Sequence, residues 1–174
     1  EVSDEYGTLD LNFTKHNTQR TNLIITKFWS LYNFSISNKI QYNVLSNNEV
    51  DDFFYFFGGG MTGIKGYTFY DESLSGTKLK IFSSYIRYPL LFKNDNRILQ
   101  FSVQNLSLGY VFQVGNADDN DFMSSNGIEI RVNGSSFYGF PFAVSYEFHI
   151  PNVGEKVGRH YVKLLFDFKF FRSF

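Results

Sequence analysis

The chain contains no cysteine, which removes disulfides, thiol catalysis and cysteine-based zinc sites together. No stretch approaches the ~18 uninterrupted apolar residues of a membrane-spanning helix, so a helical membrane protein is excluded. Neither sign of charge dominates: 16 Lys and Arg against 17 Asp and Glu give a net charge of −1. There is therefore no basic field for a nucleic-acid partner and no acidic tail. Residues 1–5 carry neither the basic start nor the apolar stretch of a signal peptide. Prolines number three and methionines two, and no helical periodicity of useful length is present.

Aromatics are what the chain has in excess. Its 22 Phe, 12 Tyr and one Trp make up 20% of 174 residues, yet the mean hydropathy is slightly negative because Asn, Ser, Gly and charged residues are interleaved with them. That mixture suits strands with one apolar and one polar face. The length suits one domain, residues 1–174.

The alternation predicts strands over 7–14, 21–31 and 33–44, the second with blurred faces because Lys27 and Trp29 share a side. Residues 46–75 then form a loop well beyond the ~12–15 residues at which an unstructured connection becomes unusual. Its centre is too aromatic for a solvated loop and too glycine-rich for a strand: Phe53-Phe54-Tyr55-Phe56-Phe57-Gly58-Gly59-Gly60, then Ile64-Lys65-Gly66-Tyr67. A strand over 76–87 is expected to end at Pro89, which cannot donate to a ladder, followed by a turn at 93–96. In 98–114 the apolar phase changes near Gln104-Asn105, from Leu99, Phe101 and Val103 to Leu106, Leu108, Tyr110 and Phe112, which predicts a bulge. After a polar loop at 115–121, alternation at 127–132 leads to Asn133-Gly134, a strong hairpin signal. Strands over 138–149 and 162–170 alternate most cleanly, separated by a Pro/Gly loop at 151–158.

About eight antiparallel strands result, most longer than the ~5–6 residues usual in soluble domains and close to the ~9–11 of a tilted membrane strand. Asp, Lys, Glu, Arg, Asn and Ser opposite continuous aromatics are what a wet lumen and a lipid-facing wall require. Lipid hydrocarbon offers no hydrogen bonds, so such a sheet must close, alone or with another chain. The expected fold is all-β, an antiparallel transmembrane β-barrel. A soluble sandwich or ligand-binding barrel is the alternative. Its difficulty is volume, since the large side chains at alternate positions of 138–148 and 162–170 would overfill a small interior.

Gly58-Gly59-Gly60 followed by Ile64-Lys65-Gly66-Tyr67, then a strand ending Arg87-Tyr88-Pro89-Leu90, resembles the outer-membrane surface-antigen superfamily, which includes BamA and the two-partner secretion transporters. In that family a glycine-rich loop with a Val/Ile/Leu-Arg-Gly-Phe/Tyr motif folds into the lumen of a 16-stranded barrel. The stretch Leu108-Gly109-Tyr110-Val111-Phe112-Gln113-Val114-Gly115-Asn116-Ala117 is similar to the family strand ending Phe-x-Asp-x-Gly-Asn, and residues 166–174 to its C-terminal strand. The order and spacing match over about residues 30–174. The resemblance implies a lumen loop motif of Gly58, Gly59, Gly60, Ile64, Lys65, Gly66 and Tyr67. It implies a contacting wall of Phe112, Gln113 and Gly115, and an assembly signal of Phe166, Phe168, Phe170 and Phe174.

Two positions depart from the family. Its arginine is Lys65 and its acidic wall residue is Gln113, so a bidentate guanidinium–carboxylate contact becomes a point charge near an amide. Lys65 has Glu129, Glu147 and Asp167 on the predicted lumen face as further partners. The strand count corresponds to the C-terminal half of the family barrel, without periplasmic domains. An eight-stranded barrel has no room for a tucked loop of this size, so completion by further sequence or a second copy is expected.

Catalytic chemistry finds no support. His16, His149 and His160 lack metal spacing, no nucleophile elbow is present, and Gly58-Gly60 lacks the Lys-Ser/Thr and helix of a phosphate loop. The chain is read as a non-enzyme without cofactor. Outer-membrane lipid, the barrel assembly machinery and an unfolded or secreted polypeptide are the partners that the resemblance implies, at the outer membrane of a Gram-negative-type bacterium or its organelle equivalent. A passive outer-membrane anchor and a soluble ligand-binding barrel are the competing functions.

Overall fold

The structure is a computed structural model that describes residues 9–13, 19–46, 51–98, 101–136 and 140–166. Alternating apolar and polar residues place most of the described residues in one antiparallel sheet. Its strands are β1 (Leu9–Phe13), β2 (Gln19–Leu31), β3 (Phe34–Leu45), β6 (Lys78–Ile98), β7 (Phe101–Ala117), β8 (Met123–Ser135), β9 (Pro141–Pro151) and β10 (Arg159–Phe166). They form a meander in the order β1-β2-β3-β6-β7-β8-β9-β10. Two short strands, β4 (Phe56–Phe57) and β5 (Ser75–Gly76), pair with each other at the base of the long loop. Among the described residues the sheet does not close on itself: β1 and β10 are edge strands, each with a single neighbour.

The sheet is inverted relative to a soluble domain. On β8, Ile128 is 56% exposed while the adjacent Glu129 is 1% exposed. The same holds on β9, where Tyr146 and Ile150 are exposed and Ser145, Glu147 and His149 are buried. Ile86, Leu108, Tyr110, Val162 and Leu164 continue the exposed apolar face across the neighbouring strands. The main cluster of buried apolar residues lies on the polar side at one end. There Phe56, Ile64, Tyr67 and Leu74 of the loop pack on Leu45, Leu79, Ile81 and Ala117 of the strands.

Two expected strand ends move. β6 continues through Pro89 to Ile98, so neither the stop at Pro89 nor a turn at 93–96 forms. The missing donor of Pro89 is accommodated at an irregularity: Pro89 pairs with Ser107 and Leu91 with Leu106, a one-residue slip, and a second slip follows between Phe92 and Asn96. Asn133-Gly134 is not a turn either. Pairing continues through Asn133↔Ala143, Gly134↔Phe142 and Ser135↔Pro141, and the connection falls beyond Ser135. Gly134 serves close packing instead, since a Cβ there would lie 2.3 Å from the Ser102 carbonyl oxygen. The phase change in β7 does coincide with a register shift between Val103 and Asn105 against β8.

Candidate functional site

The loop is built by its own backbone before it meets the sheet. Gly58 N–H donates to Leu74 O (2.7 Å), Ile64 N–H to Gly58 O (2.6 Å) and Gly60 N–H to Tyr67 O (3.2 Å). Gly59 forms a parallel bridge with Ile64. The chain comes so close to itself that a Cβ on Gly63 would stand 2.0 Å from Gly58 O. Short 3-10 turns at Asp52–Phe54 and Glu72–Leu74 flank this fold, each capped by the preceding aspartate. At its base Asp118 accepts from Thr77 N–H (3.1 Å), Thr77 Oγ1 (2.9 Å) and Lys78 N–H (2.8 Å), tying the loop to the β7–β8 connection. Gly63→Ala is expected to cost about 1–3 kcal/mol as an overpacked site, read as faster proteolysis within 51–77 while β-sheet circular dichroism is kept.

The docked segment reaches five strands, β6 to β10. Lys65 N–H donates to Gln113 Oε1 (2.9 Å), and Gln113 Nε2 donates to Gly63 O (3.1 Å) and Ser83 Oγ (3.0 Å). The Lys65 ammonium bonds Tyr85 Oη (3.0 Å) and pairs with Glu147 Oε2. Gly66, at φ 99°, donates its N–H to Tyr161 Oη (2.8 Å). Only glycine adopts that backbone without strain. The Tyr67 hydroxyl donates toward Ser124 O (2.9 Å) and Val153 O (3.1 Å) at the sheet rim. Burial raises the pKa of this phenol above its ordinary value, which keeps it a neutral donor.

Glu147 is the centre of the arrangement. Its Oε2 also meets His149 Nε2 (2.8 Å), and its Oε1 meets Lys163 Nζ (3.1 Å). A carboxylate only accepts, so the His149 proton sits on Nε2. Lys65 and Glu147 are each 1% exposed. Glu147 lies four residues inside β9 from Pro151, about 13 Å along the strand at ~3.3 Å per residue. The loop therefore penetrates the polar side and does not merely cap it.

Compared with protein-family models, curated proteins and solved structures, the chain finds no match. The site thus stands on its own geometry.

Of the residues expected at the loop–wall contact, the structure brings together Ile64, Lys65, Gly66, Tyr67, Gln113, Gly115 and Glu147; Gly115 leaves the space into which Ile64 Cδ1 projects. Gly58, Gly59 and Gly60 shape the loop internally. Two expected wall residues do not join the contact. Phe112 alternates with the buried Val111 and Gln113 and so lies on the opposite face. It is paired with Asn126, which bonds the exposed Tyr110. Glu129 is buried but taken by Arg87 in a two-point contact, Nε to Oε2 at 2.6 Å and Nη2 to Oε1 at 3.3 Å. Phe166 ends β10, whereas Asp167, Phe168, Phe170 and Phe174 lie outside the described residues.

Tyr85, Tyr161, His149 and Lys163 enter the contact without having been expected. His149 and Lys163 stood at polar-phase positions of the two cleanly alternating strands, whereas Tyr85 and Tyr161 carried no such signal. Which of them meet the loop depends on registers such as Glu147↔Tyr161 and Ser145↔Lys163. Among the described residues no group of His, Asp and Glu could hold a metal ion.

Proposed function

We propose that this chain forms part of an outer-membrane β-barrel of the surface-antigen superfamily, taking part in the insertion or translocation of polypeptides. The observation that carries the reading is the inverted sheet with the Ile64-Lys65-Gly66-Tyr67 segment docked against its polar face. A soluble barrel would bury its apolar face; here that face is exposed and the charged one is covered. β2, β3, β8 and β9 have 13, 12, 13 and 11 residues, long enough for the ~9–11 of a tilted span. The outer positions of β9, 142 to 150, extend about 27 Å along the strand. Tilted by ~40°, that covers roughly 20 Å of an apolar band ~25 Å tall. Toward the loop end the outer face turns polar, with Tyr110 on Asn126 (2.5 Å), Asn126 on Asn152 (2.8 Å) and Tyr146 on His160 (2.6 Å).

In this reading the loop occupies the lumen and its release opens a path. Lys65→Ala removes one ion pair but leaves Glu147 with Lys163 and His149. The expected cost, about 1.5 kcal/mol for a charged hydrogen bond, shifts loop docking roughly tenfold. Conductance in planar bilayers and a substrate-insertion assay on the full-length protein should change accordingly. A variant with unchanged loop order and unchanged activity would end the gating role. The dense set of bonds on the loop also fits a passive anchor whose loop is a fixed plug. Heat-modifiable, detergent-dependent migration without any insertion or conductance would favour that second reading.

A further inference from the structure

Beyond the docked loop, the polar face is not balanced in charge. Lys39, Lys65, Arg87, Arg131 and Lys163 share it with two carboxylates, Glu129 and Glu147. Among these described side chains five cations face two anions, a local surplus of three positive charges in a chain whose net charge is −1. Lys65 and Lys163 use Glu147, and Arg87 uses Glu129. Lys39 and Arg131 make no ion pair among the described residues. Among the described residues the Arg131 side chain bonds only Asn133 Oδ1 (2.9 Å), leaving most of its five N–H donors without a partner there.

Those two free cations line one cavity of about 780 Å³, with Arg87, Ser37, Ser107 and Asn105. The volume falls within the ~300–1,000 Å³ usual for small-molecule sites. A second observation lies on the same face. Ser145 stands between Arg131 on β8 and Lys163 on β10 by register, is 2% exposed, and its hydroxyl has no partner. Phe28 and Pro89 add apolar wall to the same cavity.

We propose that this cavity binds a phosphate monoester. The surplus positive charge asks for a multivalent anion, and a phosphate monoester carries roughly −1.5 to −2 at neutral pH, with three strong acceptor oxygens. A carboxylate would leave most of the surplus standing. Arg131 and Lys39 hold the oxyanion, the Ser37 and Ser107 hydroxyls complete its hydrogen bonds, and the organic part lies against Phe28 and Pro89. Fixed strand positions preorganise the donors. The ligand is either a soluble phosphorylated compound or the headgroup of a lipid, and the site does not depend on transport activity.

The test is isothermal titration of the full chain in non-ionic detergent with glycerol phosphate and with lysophosphatidate, using lysophosphatidylcholine as the diester control. Saturable binding of at least one monoester is expected, without binding of the diester. It should weaken at least tenfold in Arg131→Gln and in Lys39→Gln and stay unchanged in Lys156→Gln, on the exposed 152–158 connection. Far-UV circular dichroism checks that each variant is folded; should Arg131→Gln fail to fold, Lys39→Gln decides. Binding of glycerol phosphate assigns a soluble ligand, and binding of lysophosphatidate alone assigns a headgroup. No saturable binding of either monoester, equal binding of the diester, or equal weakening by Lys156→Gln overturns the proposal.

Discussion

Glu147→Ala is expected to destabilise the docked loop by about 3–5 kcal/mol, the cost of stranding a buried charge. The asymmetry with Lys65→Ala follows from connectivity. Glu147 meets three cationic or potentially cationic side chains, whereas the Lys65 ammonium has only Glu147 and the Tyr85 hydroxyl. With the carboxylate gone, Lys163 can turn its partly exposed ammonium to water. Lys65 cannot, because backbone bonds from residues 63 and 65 to Gln113 hold its segment in place. The loop must then undock or keep a bare ammonium under it. Urea titration followed by loop proteolysis should show the loss. Combining Glu147→Ala with Lys65→Met should recover most of it, since removing both charges of a buried pair is often close to neutral. A double variant as unstable as the sum of the single ones would show that packing, and not charge, holds the loop.

Ile130→Lys is expected to cost about 2–4 kcal/mol when the protein is folded in a bilayer, the range for a lysine on the lipid face near mid-depth. The residue is 47% exposed and paired with Leu108 and Tyr146 in the middle of the outward band. In a soluble protein the same substitution at so exposed a site would fall within about 0.5 kcal/mol. Reversible unfolding in lipid vesicles, compared with Lys156→Gln on the exposed connection, separates the two. A change below 1 kcal/mol in the bilayer would remove the membrane from the reading of this face.

Strand faces were legible because their signal is local: a period of two needs only neighbours in sequence, and 138–149 and 162–170 read clearly for that reason. The loop was legible as an oddity, glycines among aromatics that neither a strand nor solvent would take. Pro89 and Asn133-Gly134 misled because each residue's rule has an exception set by the partner strand. Pro89 sits at a slip in pairing, and Gly134 lies within a ladder where Ser102 O leaves no room for a side chain. Phe112 was placed by its adjacency to Gln113, although adjacent strand residues face opposite ways. The Glu147 cluster was out of reach for another reason. Its members come from the loop, β9 and β10, with Tyr85 from β6, and their meeting is decided by registers that no single stretch encodes.

The reach of the docked segment has a consequence for the order of folding. Its partners are 48 residues away at Gln113, 82 at Glu147 and 95 at Tyr161. The full set of bonds cannot form until strands β7 through β10 are aligned, and closing such distant contacts is slow. Docking is therefore a late event that reads out whether the C-terminal strands have been laid down in register. A chain stalled before β10 would leave Gly66 without Tyr161 and the carboxylate of Glu147 without Lys163, so the loop would dock on fewer bonds.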